Sequence, residues 1–407
     1  MEKNNIKGKT KLIIGIVVSI MIIAVVVYMI IDYKKEQEED KIAITYKPNL
    51  TAEFLQKVKV SDFIEDIKGE IVTDDYIETN EIGNKNLTFK YKSIRNKIKT
   101  KTFEIKVIDT EKPKIYLGDT MTVKKGYTKN LTDVILSGDN CDSNPKRTIE
   151  GDYDFNKAGT YKLKYIITDE SGNKNTKDFT LKVVNTTNNT STNTSEESKI
   201  LFTDIVKKHK NENTKIGIDV SGWQGEIDWS KVKSSGVEFA MIRLGYQDGF
   251  DGDNQVDKYF VKNIEGAMKE KIEVGVYFNS YAKTANEAKE QAEFVNDKLN
   301  GYKIQLPISY DWENWTSFSK CKMSFYDLNN LAHTFENNLK EKGHEVSLYG
   351  SKNYLETMWY ANEFENVWLA NYTSKTSYTG KFQIWQLCNT GKIDGIDGYV
   401  DIDVLYK

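Results

Sequence analysis

The chain has 407 residues and a formal net charge of −3, and charged residues make up 29% of it. Its length exceeds that of an average single domain, so at least two domains are expected. A charge so close to zero gives no electrostatic reason for nucleic-acid binding, and we expect none. The three cysteines are too few and too scattered for a disulfide framework, which leaves them packing roles.

The N-terminal segment predicts a membrane anchor. Residues 12–31 form an uncharged apolar run of 20 residues, and a helix of that length spans the roughly 30 Å hydrocarbon core of a bilayer. Basic residues precede it at Lys3, Lys7, Lys9 and Lys11. By the positive-inside rule, residues 1–11 lie in the cytoplasm and the rest lies outside the cell membrane, on the cell-wall side. The alternative is a cleaved signal peptide, which the length of the run and the lack of a small-residue cleavage site disfavour. The charged residues 32–41 predict a solvated stalk.

Two self-similar modules are expected next, at 42–110 and 111–185. The runs TFEIKVID (102–109) and DFTLKVVN (178–185) alternate apolar and polar residues and align at an offset of 76 residues. Short strands with Gly, Asn and Asp turns favour β-sandwiches. Residues 159–184 resemble the last hairpin of the immunoglobulin-like modules of bacterial surface proteins. We expect both modules to act as spacers; the alternative is that they bind wall polymer or an envelope protein partner.

A flexible linker is predicted at 186–213. NTTNNTSTNTSEESK (185–199) has no apolar side chain to bury. At the end of the linker, ILFTDIVKKHKNEN (200–213) has the pattern of a short helix that leads into the last domain.

Between residues 214 and 407, apolar strand-like runs alternate with helical stretches. Eight strands are expected, at 215–221, 239–245, 273–280, 305–313, 345–351, 366–372, 382–388 and 399–406. Helical stretches follow the first five, whereas the last three leave little room for them. This alternation indicates parallel strands with right-handed crossovers. Eight strands in so short a segment predict a closed α/β barrel that is smaller than a standard (β/α)8 barrel.

Four carboxylates lie where chemistry is expected in such a barrel. Asp219 ends the first strand, and Asp311 and Glu313 end the fourth. Asp401 lies in the eighth, beside the first strand once the barrel closes. Residues i and i+2 of a strand share a face, so Asp311 and Glu313 point into the mouth together and Trp312 points away. Crowding raises the pKa of at least one carboxyl, which keeps it protonated as a general acid while another stays ionised. Such pairs are the chemistry of glycosidic bond hydrolysis.

Other interpretations of these residues stay open at this point. A lone Asp at a strand end is often a helix N-cap or a turn former, which suits Asp219 with the nearby Ser221. Asp403 is expected to have no functional role. Clustered acids also suit a metal ion, but no histidine stands near them, and we expect neither a metal nor a cofactor. The histidines also form no Ser-His-Asp or Cys-His arrangement, which disfavours a peptidase.

Aromatic residues near the strand ends suit a sugar-binding groove, because flat rings stack on sugar faces and tyrosine hydroxyls form hydrogen bonds. They are Trp223, Tyr246, Tyr277, Tyr349, Trp368, Tyr372 and Trp385. The alternative is that most of them belong to the core.

The last domain resembles glycoside hydrolase family 25, the lysozymes that act as N-acetylmuramidases. The resemblance is carried by GIDVSGWQGEIDWSKVKSSGVEFAMIRLGY (217–246), GVYFNSYA (275–282), LPISYDWEN (306–314), SLYGSKNYL (347–355), VWLANY (367–372) and FQIWQLCNTGKIDGIDGYVDIDVLY (382–406). It covers residues 215–407 in the family's order and implies a (β/α)5(β)3 TIM-like barrel.

The resemblance also implies a reaction and roles for residues. The reaction is cleavage of the β-1,4 bond between N-acetylmuramic acid and N-acetylglucosamine in peptidoglycan glycan strands. The family's Asp-x-Glu falls on Asp311 and Glu313. Glu313 is then the general acid, and Asp311 orients or stabilises the developing positive charge, with the substrate's N-acetyl group as one route. Asp219 and Asp401 match two further acids that shape and charge the subsite. The implied sugar contacts are Tyr277, Tyr349, Trp368, Tyr372 and Gln386.

Two positions depart from the family's pattern. Many members carry a lysine after the second strand, where this chain has Arg243. The third strand often ends in Tyr-His-Phe, whereas this one ends with Asn279. Because the four acids are intact, the departures concern substrate recognition more than chemistry.

The sequence thus predicts a membrane-anchored, outward-facing muramidase that acts locally in remodelling or opening the wall. One alternative is an inactive barrel that binds the wall or serves as a scaffold in the envelope or in a secretion or transfer machine. A second alternative is a barrel hydrolase of another polysaccharide.

Overall fold

The computed structural model describes residues 2–41, 43–185 and 200–407, with side chains from residue 9 onwards. The predicted linker residues 186–199 lie outside the described residues. The chain divides into two compact units, residues 1–110 and 111–407.

The first unit begins with one long helix, α1 (Glu2–Lys41). In the described part of the chain it is the one helix long and apolar enough to cross a membrane, over Lys9–Lys41. The predicted span 12–31 lies within it, and its apolar side chains are exposed. The predicted stalk 32–41 continues as part of the same helix.

Eight strands complete the first unit. They are β1 (Ile44–Tyr46), β2 (Thr51–Glu53), β3 (Val58–Lys59), β4 (Ile64–Ile67), β5 (Gly69–Ile71), β6 (Tyr76–Ile77), β7 (Gly83–Ser93) and β8 (Ile98–Ile108). They form a four-stranded sheet in the order β2-β8-β7-β5 and two strand pairs, β1-β4 and β3-β6. The turn between β7 and β8 holds the charged end of α1, because Arg95 contacts Asp32 at 2.9 Å and Glu39 at 2.8 Å.

The second unit begins with a domain of the same kind, at 111–184. Its elements are β9 (Lys114–Tyr116), β10 (Thr120–Lys124), α2 (Leu131–Val134), β11 (Leu136–Gly138), β12 (Lys146–Glu150), β13 (Gly159–Thr168) and β14 (Lys174–Val184). They form one sheet in the order β10-β14-β13-β12 and one pair, β11-β9. The two runs that align in sequence become β8 and β14. Each pairs antiparallel with the strand before it and parallel with a short strand near the start of its domain.

The rest of the second unit is a barrel with helices around it. Its strands are β15 (Ile200–Leu201), β16 (Thr214–Val220), β17 (Phe239–Gln247), β18 (Asn254–Val256), β19 (Glu273–Ser280), β20 (Ile308–Trp312), β21 (Val346–Ser351), β22 (Asn366–Ala370), β23 (Ile384–Lys392) and β24 (Val400–Tyr406). Its helices are α3 (Phe202–His209), α4 (Trp229–Ser234), α5 (Phe260–Lys269), α6 (Ala285–Leu299), α7 (Phe318–Cys321), α8 (Phe325–Lys340) and α9 (Lys352–Leu355). All eight predicted strands are present, within a few residues of their expected ends.

The barrel closes through its last strand. From β16 to β23 the neighbouring barrel strands are parallel. β24 fills the gap and runs antiparallel to both β16 and β23. The prediction of parallel pairing was therefore wrong for the eighth strand. The connection from β23 to β24 is only a few residues long, which suits an antiparallel pair and is too short for a crossover.

The predicted linker, 186–213, extends too far, because residues 200–209 are part of the barrel domain. The short helix predicted there is α3, but it belongs to the barrel, because Phe202 and Ile205 are buried in the barrel's core. β15 also pairs with β23.

Local capping explains where two long helices begin. At α6 the Thr284 hydroxyl accepts from the Glu287 amide, and the Glu287 carboxylate accepts from the Thr284 amide in return. Ser324 and Asp327 form the same reciprocal pair at α8. Each pair satisfies amides that a helix N-terminus leaves without partners.

Candidate active site

One cavity of about 230 Å³ opens at the carboxyl ends of the barrel strands. Its lining residues are Asp219, Tyr277, Asp311, Glu313, Tyr349, Trp368, Tyr372, Gln386, Asn389 and Asp401. All nine residues predicted from the sequence to form the site are among them. The tenth, Asn389, lies one residue after Cys388 near the end of β23, and no sequence signal marked it.

β20 delivers two of the acids. Asp311 is buried, and Glu313 follows the last residue of the strand with its side chain exposed at the mouth. Trp312 points the other way, as the strand alternation predicts. Its indole Nε1 donates to the Ala282 carbonyl at 3.0 Å, and its ring packs against Trp315. The buried tryptophan thereby fixes the strand end that carries both carboxyls.

Asp311 is held by a residue of the neighbouring strand. Asn279 on β19 lies in register with Asp311, and its Nδ2 donates to Asp311 Oδ2 at 2.9 Å. The other carboxylate oxygen, Oδ1, has no hydrogen-bond partner among the described residues. Burial, together with the nearby charge of Glu313, raises the pKa of Asp311 well above its usual range. The Asn279 amide opposes this shift, because it stabilises the ionised carboxylate.

Glu313 meets the requirements for a proton donor. The surrounding protein displaces water from its carboxyl and raises its pKa, and the charge of Asp401 adds to this. Within the described residues its side chain forms no hydrogen bond. An accessible carboxyl with a raised pKa holds a proton more readily than an ordinary carboxyl and can release it to a ligand in the cavity.

Three further carboxyls, Asp219, Asp401 and Asp403, form a cluster on β16 and β24. Asp219 and Asp401 are register partners across β16 and β24, and Asp403 is fully buried one pleat below. Burial first, then repulsion from Asp401 and Asp403, raises the pKa of Asp219 well above its usual range. Burial raises the pKa of Asp401 to about 6 and that of Asp403 to about 8. At neutral pH the cluster therefore retains at least one proton.

Asp403 was expected to have no role, and the structure places it directly beneath the site. Its Oδ1 accepts a hydrogen bond from the Trp368 indole Nε1 at 2.8 Å. Trp368 lies 35 residues before Asp403 in the chain. The alternation of acids in YVDID was the available signal, since it puts Asp401 and Asp403 on one face of the strand.

Gln386 links the tyrosines of the cavity to the acid cluster. Its Oε1 accepts from the hydroxyls of Tyr349 and Tyr372, each at 3.0 Å. Its Nε2 donates to Asp219 Oδ2 at 2.8 Å. Trp368 packs edge-on against Tyr349, with ring centroids 4.7 Å apart. One wall of the cavity is thus a connected hydrogen-bonded network with an aromatic backing.

Comparisons with known proteins match the barrel to a family of hydrolases. Residues 218–396 match the sequence model of the glycosyl hydrolases family 25. Lysozyme M1 of Streptomyces globisporus is 29% identical over 198 residues, which cover 46% of this chain and 65% of that protein. The autolytic lysozyme of Clostridium acetobutylicum is 25% identical over 189 residues, covering 46% of this chain and 54% of that protein.

A solved structure of a family 25 glycosyl hydrolase from Bacillus anthracis is 26% identical, with a TM-score of 0.42. The match covers 49% of this chain and 92% of the Bacillus anthracis chain. The chain spans roughly half to two thirds of the length of the two curated lysozymes.

The departures from the family 25 pattern have structural explanations. Arg243 forms a paired contact with Asp257, with Nε at 2.8 Å and Nη2 at 2.7 Å from Oδ2. Its positive charge also opposes the rise in the pKa of Asp311. The second departure, Asn279, is the residue that holds Asp311. Both changes therefore act on the charge of the buried carboxyl.

Three of the aromatic residues near the strand ends do not line the cavity. Trp385 is buried, and its Nε1 donates to the Asn371 carbonyl. Tyr246 lies against the guanidinium of Arg243. Trp223 is 86% exposed, on the loop after β16. The core interpretation thus holds for Trp385 and fails for Trp223.

Proposed function

We propose that the barrel is a lysozyme that cleaves the β-1,4 bond between N-acetylmuramic acid and N-acetylglucosamine in peptidoglycan. The observation that carries the proposal is the pair Asp311 and Glu313. One carboxyl is buried and held by an amide, the other is accessible, and both have raised pKa values in a single open cavity. The match of residues 218–396 to the family 25 model and the similarity to two lysozymes support this substrate class.

In this proposal the two acids of β20 have different roles. Glu313 donates its proton to the oxygen of the leaving sugar. Asp311 faces the positive charge that develops on the other sugar and orients the N-acetyl group there. The Asn279 bond favours the ionised form of Asp311, and a nearby negative charge raises the proton affinity of Glu313. Different environments thus favour different protonation states for the two neighbouring carboxyls.

The remaining lining residues form the subsite. Asp219 and Asp401 supply negative charge next to the developing cation, and the cluster adjusts it by retaining a proton. Tyr372 is 52% exposed, so its ring is available to a sugar face. Tyr277, Tyr349 and Gln386 present polar atoms to the cavity, whereas Trp368 is buried and backs the wall.

The proposal extends to the architecture of the whole chain. The barrel is of the (β/α)5(β)3 TIM-like type, and the two domains at 42–110 and 111–185 are immunoglobulin-like. Helix α1 crosses the cell membrane with its N-terminus in the cytoplasm, so the catalytic domain acts locally on the cell wall. Envelope proteins are the candidate partners of the immunoglobulin-like domains. Recovery of the intact chain from the medium, instead of the membrane, would refute the tether.

The test uses the purified full chain in detergent with peptidoglycan, and the new reducing ends are identified by mass spectrometry. Glu313→Gln removes the proton donor and keeps the shape, so the rate should fall about 10²–10⁴-fold. Glu345→Gln is the matched control, because Glu345 is exposed at the start of β21, at the opposite end of the barrel.

Each outcome separates the competing functions. Muramic acid reducing ends from the wild type and the control, but not from Glu313→Gln, support the muramidase. N-acetylglucosamine reducing ends would refute the assigned bond. The absence of cleavage in several differently modified walls would favour the binding or scaffolding alternative.

A further inference from the structure

One edge of the domain at 111–184 lies against the loop that follows Glu313. We call residues 133–140 the docking edge and residues 313–324 the acid loop. Both belong to the second compact unit. The docking edge contains β11, and the acid loop contains α7.

The first group of contacts reaches the acid loop itself. The Ser319 hydroxyl donates to the Asp133 carbonyl at 2.7 Å. Gly138 is in close contact with two aromatic rings, since a Cβ there would come within 2.8 Å of ring carbons of both Phe318 and Phe325. The two rings stack on each other, with centroids 5.6 Å apart. The approach is therefore so close that it requires a residue without a side chain at position 138.

The second group satisfies the beginning of α8. The Phe325 amide donates to the Asp139 carbonyl at 2.7 Å, and the Tyr326 amide donates to the Asn140 carbonyl at 3.1 Å. A helix N-terminus leaves its first amides without intrahelical partners. Here another domain supplies those partners, so the start of the helix that ends the acid loop is fixed by the docking edge.

The docking edge is itself held in place by its own domain. Ser137 is fully buried, and its hydroxyl lies 2.7 Å from the Tyr165 hydroxyl. Arg147 donates to the Ser137 hydroxyl at 3.1 Å and to its carbonyl at 3.2 Å. Because Tyr165 and Arg147 lie on β13 and β12, the edge is tied to the main sheet and provides a fixed support.

The contacts continue from the docking edge to Glu313. Phe318 packs near Trp315, which also contacts Tyr354 with ring centroids 4.1 Å apart. The Trp315 amide donates to the Glu313 carbonyl at 2.8 Å. A chain of packed rings and one hydrogen bond thus joins Gly138 to the backbone of the proton donor.

We propose that the domain at 111–184 is a positioning element for Glu313, and that the docking edge holds the acid loop in its catalytic conformation. This assigns the domain a role beyond that of a spacer, and its rate consequence rests on the proposed function. A general acid works only when it is held within hydrogen-bond reach of its target, so loosening the loop lowers the rate of the chemical step. Tyr277, Tyr349 and Gln386 lie on other strands, so sugar binding is affected less.

The test compares two glycine substitutions in the full chain. Gly138→Leu drives a side chain between Phe318 and Phe325 and separates the docking edge from the acid loop. Gly118→Leu is the matched control in the same domain, because Gly118 is exposed and the nearest atom to its Cβ position, the Thr120 carbonyl oxygen, lies at 4.0 Å, an ordinary contact distance. Hydrogen exchange should be at least tenfold faster in the acid loop and at the Phe325 and Tyr326 amides of Gly138→Leu, and unchanged in the control.

Kinetics separate positioning from mere structural support. In Gly138→Leu kcat should fall at least tenfold while KM changes less than threefold. Unchanged exchange in the acid loop, or faster exchange with an unchanged kcat, would overturn the proposal. Ser319→Ala serves as a milder variant if Gly138→Leu does not fold, and the same exchange and kcat changes, in smaller measure, are expected. Exchange does not depend on activity, so an inactive wild type would refute the proposed function while the exchange result still decides whether the docking edge orders the loop.

Discussion

The hydrogen bond from Asn279 to Asp311 gives the sharpest test of how the site sets its charges. In Asn279→Ala the Asp311 carboxylate loses this partner, and its other oxygen already has none among the described residues. A hydrogen bond to a charged group contributes about 1.5–3 kcal/mol. Its loss favours the protonated form of Asp311, so the pKa of that carboxyl rises further.

The expected result is a pH-dependent loss of activity. If Asp311 must be ionised, the acid limb of the pH profile of kcat/KM moves to higher pH. On that limb the rate falls by about 10- to 150-fold, the factor that corresponds to 1.5–3 kcal/mol. Above the shifted limb most of the wild-type rate returns, because Asp311 is ionised again. The pKa read from this limb belongs to Asp311 and Glu313 together, since the two carboxyls interact.

The assay measures initial rates of reducing-end release from purified peptidoglycan between about pH 3 and pH 9, a range that brackets the ordinary carboxyl pKa values. Asn286→Ala is the control, because Asn286 makes a comparable bond to Glu290 on the surface of α6. An acid limb that stays in place or moves to lower pH in Asn279→Ala would refute the reasoning.

Three further predictions concern buried groups of the barrel. The folded state raises the pKa of Asp403 to about 8, whereas the pKa of an unfolded Asp is about 4. Between these two pH values the folded protein holds a proton that the unfolded chain has lost, so the free energy of unfolding falls as pH rises. Asp403→Asn should make the decline of Tm over this range shallower, and an unchanged slope would contradict the assignment. Gln386→Leu should lower the free energy of unfolding by about 1–3 kcal/mol in urea titrations, because it leaves the buried Tyr349 hydroxyl without its acceptor; wild-type stability would contradict the network. Gly266→Ala should destabilise by about 1–2 kcal/mol and alter tryptophan fluorescence, because a Cβ there would lie 2.3 Å from the Trp229 ring. A more stable variant would show that helix propensity outweighs this overlap.

The sequence predicted the barrel strands well because their signals are local. A buried parallel strand is a continuous apolar run, and helical stretches separate the first five. The direction of β24 was missed because a strand's own pattern does not encode the direction of its neighbours. The short connection after β23 was the usable signal. The linker boundary was placed too late, because α3 is short and only its burial against the barrel identifies it as part of that domain.

Within the site, Asn279 and Asp403 show the same difference between what local sequence reveals and what only the fold determines. Asn279 stands at the end of β19 in register with Asp311, but that register depends on how two strands pair. Asp403 acquires its raised pKa from burial and from neighbours that the fold supplies. Neither property can be read from the residue type, because an amide and a carboxylate at a strand end are also ordinary turn formers.

By itself the sequence determined which side chains are available: four acids at strand ends, an apolar N-terminal helix, and the repeated strands of the first two domains. Periodicity and residue chemistry are local properties, so a linear reading recovers them. Only the tertiary structure decided the protonation of those acids and the support of the loop that carries Glu313. Desolvation, strand register and the contact of Gly138 with two aromatic rings arise between segments that are distant in the chain, and they exist only once the chain is folded.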